Sequence, residues 1–371
     1  RNPPAHSLTM LVKQYYWGVN SDEKSNHFKK NLMHVGKKYT LKQVFLWTRR
    51  ETLIFVLLAL VPVILYEVLG FKWLAIPWLP IALVGTAVAF LIGFKNNASY
   101  DRLWEARKVW GGIINASRTW GIMVKDFVTN KHAEIPLEEE ELKAIHKKML
   151  YRHMAWLAAL RHQLREAKAW ENMEKPHAKE YKNNYTIPEH EKSLKEEFNS
   201  FLSKGEKGYI LSKKNKATQL IGLQSKELRE LLDKGLIEDF RHMEMENMLK
   251  EFYTLQGKCE RIKNFPYPRQ FSTFNQYFVW LFVLLIPFGM LQEFEKLGEF
   301  FTWLTIPFSA LVSWVFHTME KIGEATENPF EGGANDIPMT ALSRTIEIDL
   351  RDLLDEENLP KPVEAENSIL M

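Results

Sequence analysis

Apolar and polar positions fall in blocks along this chain rather than being mixed. Trp73–Phe94 and Phe271–Gln292 carry no charged residue, and Phe300–Met319 carries only His317. Thr52–Tyr66 is a shorter uncharged run, continued past Glu67 by Val68, Leu69, Gly70 and Phe71. A hydrocarbon core of roughly 30 Å needs about 20 apolar residues as helix, since each rises only about 1.5 Å. Four such runs bordered by Trp or Tyr predict four membrane helices in two hairpins, rather than helices buried in one soluble core. Pro62, Pro77, Pro80, Pro287 and Pro307 fall inside these runs. Membrane helices tolerate internal proline when neighbours satisfy the freed carbonyls.

The stretch between the hairpins changes to a helical period. Leu103, Ala106, Val109 or Trp110, Ile113, Ser117 and Trp120 recur every three or four residues, so the second membrane helix is expected to run on as a long amphipathic extension. Glu138–Ala169 repeats the period, and the four glutamates from Glu138 to Glu141 suit the positive dipole end of a helix start. Leu228–Ile262 reads as one further long helix with Ile237, Phe240 and Met243 among its apolar positions. Residues 175–188 hold two prolines and no period, a loop. With almost no alternating strand pattern, the predicted fold class is all-α. Its expected divisions are an N-terminal segment (1–51), a first membrane hairpin (52–94), a helical region (95–270), a second hairpin (271–319) and a tail (320–371).

Basic residues near the segment ends orient the chain. Lys37, Lys38, Lys42, Arg49 and Arg50 precede the first run; Lys95, Arg102, Arg107 and Lys108 follow the second. Arg261, Lys263 and Arg269 precede the third, and Lys321 follows the fourth. The two short loops carry only Lys72, and a net-negative EFEKLGE. Both termini and the long middle are therefore expected on the cytoplasmic side of the membrane. The opening RNPPAH is not expected to be a cleavable signal.

Composition then removes function classes. A net charge of +3 over 371 residues is too balanced for a nucleic-acid binder. One cysteine, Cys259, excludes an internal disulfide framework and any multi-cysteine metal centre. A mean hydropathy of -0.27 averages the blocks away. No phosphate loop, nucleophile elbow or HExxH occurs, so neither an enzyme nor a cofactor is expected. His146, His153 and His162 are spaced seven and nine apart, which makes no metal site. Asn96, Asn97, Tyr100, Asp101 and Arg102 form a polar cluster at the inner mouth of the second run, suited either to ions or to helix-end anchoring.

GFKNNASYDRLWEARKVWGGIINASR (93–118) resembles the hallmark of the bestrophin family, above all its bacterial branch. ENPFEGGANDIPMTALSRTIEIDL (327–350) is a second match, and the order of two segments, helical region, two segments and tail is a third. The resemblance implies a homopentameric channel in a lipid bilayer, conducting inorganic ions through an axial pore. It also implies a hydrophobic neck on the second membrane helix and a lower constriction from a cytoplasmic helix. The family's neck ends on an aromatic after a glycine, here Gly93-Phe94, which places the neck on Thr86, Phe90 and Phe94. These are four apart and share one helical face, which packing against a neighbour would also produce. Thr86 is smaller and more polar than the family's usual residue, so either the neck is wetter there or Leu83 closes it further out. Counting back from Cys259 puts the lower constriction near Met243, equally readable as a core methionine.

Animal members bind calcium after the fourth segment. Asn328 and Asp336 remain of that clasp, but Gly332, Gly333, Ala334 and Asn335 replace most of its acids. A hard divalent ion wants six to eight oxygens, so no tight metal site is expected, and added calcium should leave flux unchanged. The leading expectation is a passive channel for anions such as chloride. A sodium-conducting channel of the same architecture and a membrane-anchored scaffold or sensor are the alternatives. A transporter would show internal repeats or ionisable residues at mid-membrane.

Overall fold

A computed structural model describes residues 39–175, 178–179, 182 and 185–371. Lys37, Lys38, the RNPPAH start and part of the 175–188 loop lie outside them. The regular elements described are helices, apart from one isolated antiparallel bridge between Glu366 and Ile369. The all-α expectation holds.

Helix α1 spans Leu41–Glu67 and opens on a capping box, in which the Thr40 hydroxyl accepts from Gln43 N and the Gln43 side chain accepts from Thr40 N. Helix α2 spans Trp78–Phe127, 50 residues or about 75 Å. This is the continuous helix expected from the period, and Ala106, Val109, Trp110, Ile113, Ser117 and Trp120 are all buried along one side of it. Helix α3 spans Glu139–Arg165. It starts on a second capping box, between Glu138 and Glu141, where the glutamate run was expected to start one.

Short helical turns then lead to α4 (Lys204–Leu211), α5 (Lys216–Asp233) and α6 (Asp239–Asn264). The single helix expected over Leu228–Ile262 is two. Gly235 adopts φ +69, its N–H donates to Leu232 O, and Leu236 N–H donates to Leu231 O, both at 2.9 Å. That left-handed cap ends α5; α6 starts separately at Asp239, and Phe240 and Met243 near its start are exposed.

Helix α7 (Arg269–Glu295) and, after a 3₁₀ stretch over Glu299–Leu304, helix α8 (Thr305–Thr326) form the second hairpin. Helix α9 (Met339–Leu353) packs back on α2 and α3. Of the five prolines expected inside membrane helices, Pro62 and Pro287 are internal. Pro77 caps α2 and Pro80 sits in its first turn, where the missing N–H has no partner to lose; Pro307 is the third residue of α8, directly after the 3₁₀ stretch.

Two cores share α2. Phe55, Ile81, Val88, Ile92, Phe282 and Ile286 form an apolar bundle of α1, α2, α7 and α8. Trp110, Trp120, Trp156, Phe198, Phe252 and their neighbours form the core of the helical half. Close approach needs glycine in both: a Cβ on Gly85 would lie 2.6 Å from the Phe282 ring, and one on Gly121 2.7 Å from Leu350.

By length and composition, three helical stretches suffice to cross a membrane: Lys72–His132, Arg269–Glu295 and Phe300–Thr326. In α1, Arg49, Arg50, Glu51 and Glu67 bracket an uncharged run of 15 residues, about 22 Å of helix.

Candidate functional site

Helix α2 has one face without cover from its own chain. Gly85, Val88, Ile92, Lys95 and Ser99 turn inward, while Leu83, Thr86, Phe90 and Phe94 turn out. Leu83, Phe90 and Phe94 are 66%, 66% and 69% exposed, unusual for large apolar side chains unless something outside the chain covers them. The Thr86 hydroxyl donates back to Ala82 O at 2.9 Å, so its hydrogen is satisfied within its own helix. The three residues expected at the neck, and Leu83 as its possible outer closure, thus share one exposed stripe.

The polar cluster that follows divides in two. Asn96 donates to Met319 O at 3.1 Å, and Arg102 Nη1 to Phe265 O at 2.6 Å, with Nη2 bonding Ile262 O. Those carbonyls end α6, so Arg102 anchors a helix terminus. Burial lowers the Arg102 pKa, against the opposing pull of Glu327 and Glu105. Asn97, Tyr100 and Asp101 stay exposed, and the Tyr100 ring lies parallel to that of Trp104 with centroids 6.4 Å apart.

Behind the exposed stripe lies a group that the sequence did not disclose. Lys95 follows Phe94 but points the other way, into an ion pair with Glu320 of α8, whose second oxygen accepts from Asn275 of α7. The sequence counts Lys95 among the positive residues of the mouth; its burial removes that charge from the open surface. Helical phase was the available signal, since Lys95 is three residues from Ile92 and four from Ser99, both buried.

Helix α6 runs back along α2: Arg261 pairs with Glu105 near one end, and Arg241 lies 5.4 Å over the Phe127 ring at the other. Met243 therefore sits near the far end of α2, about 50 Å from Phe94. It is 58% exposed, and Phe240 beside it 78%.

In the tail, Asn328 donates to Glu331 at 3.3 Å, and Asp336 Oδ2 accepts from the N–H groups of Gly332 and Gly333 at 2.7 and 2.9 Å. Burial raises both acids. Asp336 comes to about 6, with Arg165 and the two backbone donors pulling against it. An acid held this way presents one free oxygen, Oδ1. Among the described residues, no group of three or more His, Cys, Asp and Glu is placed to hold a metal. His146, His153 and His162 go to three separate partners: Val128 O, the Ser117 hydroxyl and Glu197. Burial pushes His153 down to about 3.

The family model for the bacterial and fungal bestrophin proteins matches residues 22–352. The chain belongs to the bestrophin family. A voltage-dependent anion channel-forming protein of Ralstonia nicotianae is 29% identical over 292 residues, 78% of this chain and 82% of that one. A protein of the same description from Escherichia coli K12 is 24% identical over 80% of this chain and 83% of its own. Among solved structures, a bestrophin homologue from Klebsiella pneumoniae superposes with a TM-score of 0.66 at 26% identity, covering 83% of this chain and 98% of that one. The bestrophin resemblance read from 93–118 and 327–350 is confirmed, and with it a membrane protein of an ion-channel family.

Proposed function

We propose that this bestrophin is a homopentameric channel whose pore is lined by the exposed stripe of α2. The neck is formed by Thr86, Phe90 and Phe94, with Leu83 one turn further out, and the lower constriction by Met243. The observation that carries this is the stripe itself, four neighbouring positions turned outward while the opposite side of the same helix is packed. A narrow apolar ring of this kind gates by dewetting, because an ion stripped of its water has no polar group to replace it. The chain sits in the bilayer of an inner membrane with four spans and cytoplasmic termini. Supporting the fourth span, α1 packs along α7 and α8. The conducted ion is an anion such as chloride, as the descriptions of the Ralstonia and Escherichia relatives suggest.

The test is ion flux into liposomes carrying the purified protein, with chloride and sodium gradients imposed separately. Phe90→Ala should raise chloride flux. Sodium flux in place of chloride would keep the pore and reverse its selectivity. No flux of either ion, in wild type and variant alike, would leave a membrane-anchored scaffold as the better reading.

A further inference from the structure

The stripe on α2 does not end at Phe94. Asn97, Asp101, Trp104, Lys108 and Asn115 continue it, all exposed, while Ser99, Ala106, Val109 and Ile113 on the opposite side are buried. At about 100° per residue, Asp101 and Lys108 fall within about 20° of Phe90 around the helix axis. Asp101 lies about 10 Å along the helix from Phe94, and Lys108 about 10 Å further.

Most of the other charges on this helix are committed. Lys95 is paired with Glu320, Arg102 holds the end of α6, Glu105 is paired with Arg261, and Arg118 is paired with Asp349. Asp101 and Lys108 make no ion pair among the described residues. Arg107 is half-buried and turned about 100° from Phe90. Asp126 shares the phase of the stripe but lies at its far end, beside Phe127.

We propose that Asp101 and Lys108 set the charge selectivity of the channel, an inference that rests on α2 being the pore helix. The neck positions carry no formal charge, so any charged filter lies beyond them. The first uncommitted charges beyond them on the same face are these two, of opposite sign. In a symmetric assembly each becomes a ring: the Asp101 ring concentrates cations below the neck, and the Lys108 ring concentrates anions. The permeability ratio is their balance. Such rings act through the local ion concentration in water-filled space, so their effect is screened by salt.

The experiment uses the full chain in planar bilayers under a sodium chloride gradient, with Phe90→Ala as a companion. Reversal potentials give the chloride-to-sodium permeability ratio. Asp101→Asn raises the ratio severalfold and Lys108→Gln lowers it severalfold. Both changes grow as salt is diluted and the screening length lengthens from about 10 Å at 0.1 M to about 30 Å at 0.01 M. Arg107→Gln leaves the ratio where it was. Gel filtration of each variant at the wild-type position shows that assembly is intact. An unmoved ratio in both Asp101→Asn and Lys108→Gln overturns the proposal, and so does an equal shift in Arg107→Gln. If the pore assignment itself is wrong, Phe90→Ala also leaves conductance unchanged, which separates the two failures.

Discussion

Removing the charge of Glu320 isolates an ammonium inside the protein. The Lys95 and Glu320 side chains are 3% and 7% exposed, and Asn275 donates to the second Glu320 oxygen. Glu320→Gln keeps an acceptor for Asn275 but leaves Lys95 facing no negative charge. Breaking one side of a buried pair costs about 3–5 kcal/mol. With an unfolding entropy of roughly 2.1 cal/mol/K per residue, a loss of that size lowers the Tm of a chain this long by about 5 °C. The pair Lys95→Met with Glu320→Gln should recover most of the loss, because exchanging both buried charges for uncharged groups of similar size is close to neutral. Thermal unfolding of the detergent-solubilised protein, followed by tryptophan fluorescence, measures both variants. A wild-type Tm in Glu320→Gln would refute the reasoning. So would a double variant no more stable than the single one, which would show that packing rather than charge pairing holds this contact.

Three further outcomes follow from other parts of the molecule. Burial alone would raise the Glu189 carboxyl, but Arg161, Arg165 and the Thr340 hydroxyl outweigh it and bring it to about 2. A folded pKa below the unfolded one contributes stability that is complete above about pH 4.5 and fades as pH falls toward 2. Glu189→Gln should therefore cost about 3 kcal/mol at pH 7 and much less at pH 3, and an equal cost at both would contradict the assignment. Gly332 adopts φ +100, and a Cβ there would lie 2.7 Å from Ile187, so Gly332→Ala should destabilise by about 1–3 kcal/mol in the same thermal assay. Burial pushes the Cys259 thiol well above its ordinary pKa, so iodoacetamide at pH 8 should label only denatured protein; labelling of the folded chain would place Cys259 at the surface.

The sequence exposes most clearly what depends on local period. The uninterrupted run from Trp78 to Phe127 and the start of α3 at Glu139 follow from apolar spacing and a glutamate-rich first turn. Where spacing is ambiguous, tertiary context decides. Phe240 and Met243 fit an apolar helical face equally well whether covered or bare, and the Gly235 cap breaks the expected helix just ahead of them. Charge positions are legible but charge partners are not. Lys95 and Arg102 look like mouth residues until Glu320 and the Ile262 and Phe265 carbonyls are brought to them from more than 150 positions away. The stripe of Leu83, Thr86, Phe90 and Phe94 was readable as a face but not as an uncovered one. Only the packing of α7 and α8 against the opposite side distinguishes the two.

The central claim, that the outward stripe of α2 is a hydrophobic gate on a conduction path, is tested most directly by chloride and sodium uptake into liposomes carrying wild type or Phe90→Ala. The account predicts measurable flux of one of these ions, increased by Phe90→Ala because a smaller side chain widens and wets the neck. Absence of flux for both ions in both proteins, with the protein correctly reconstituted, would contradict it.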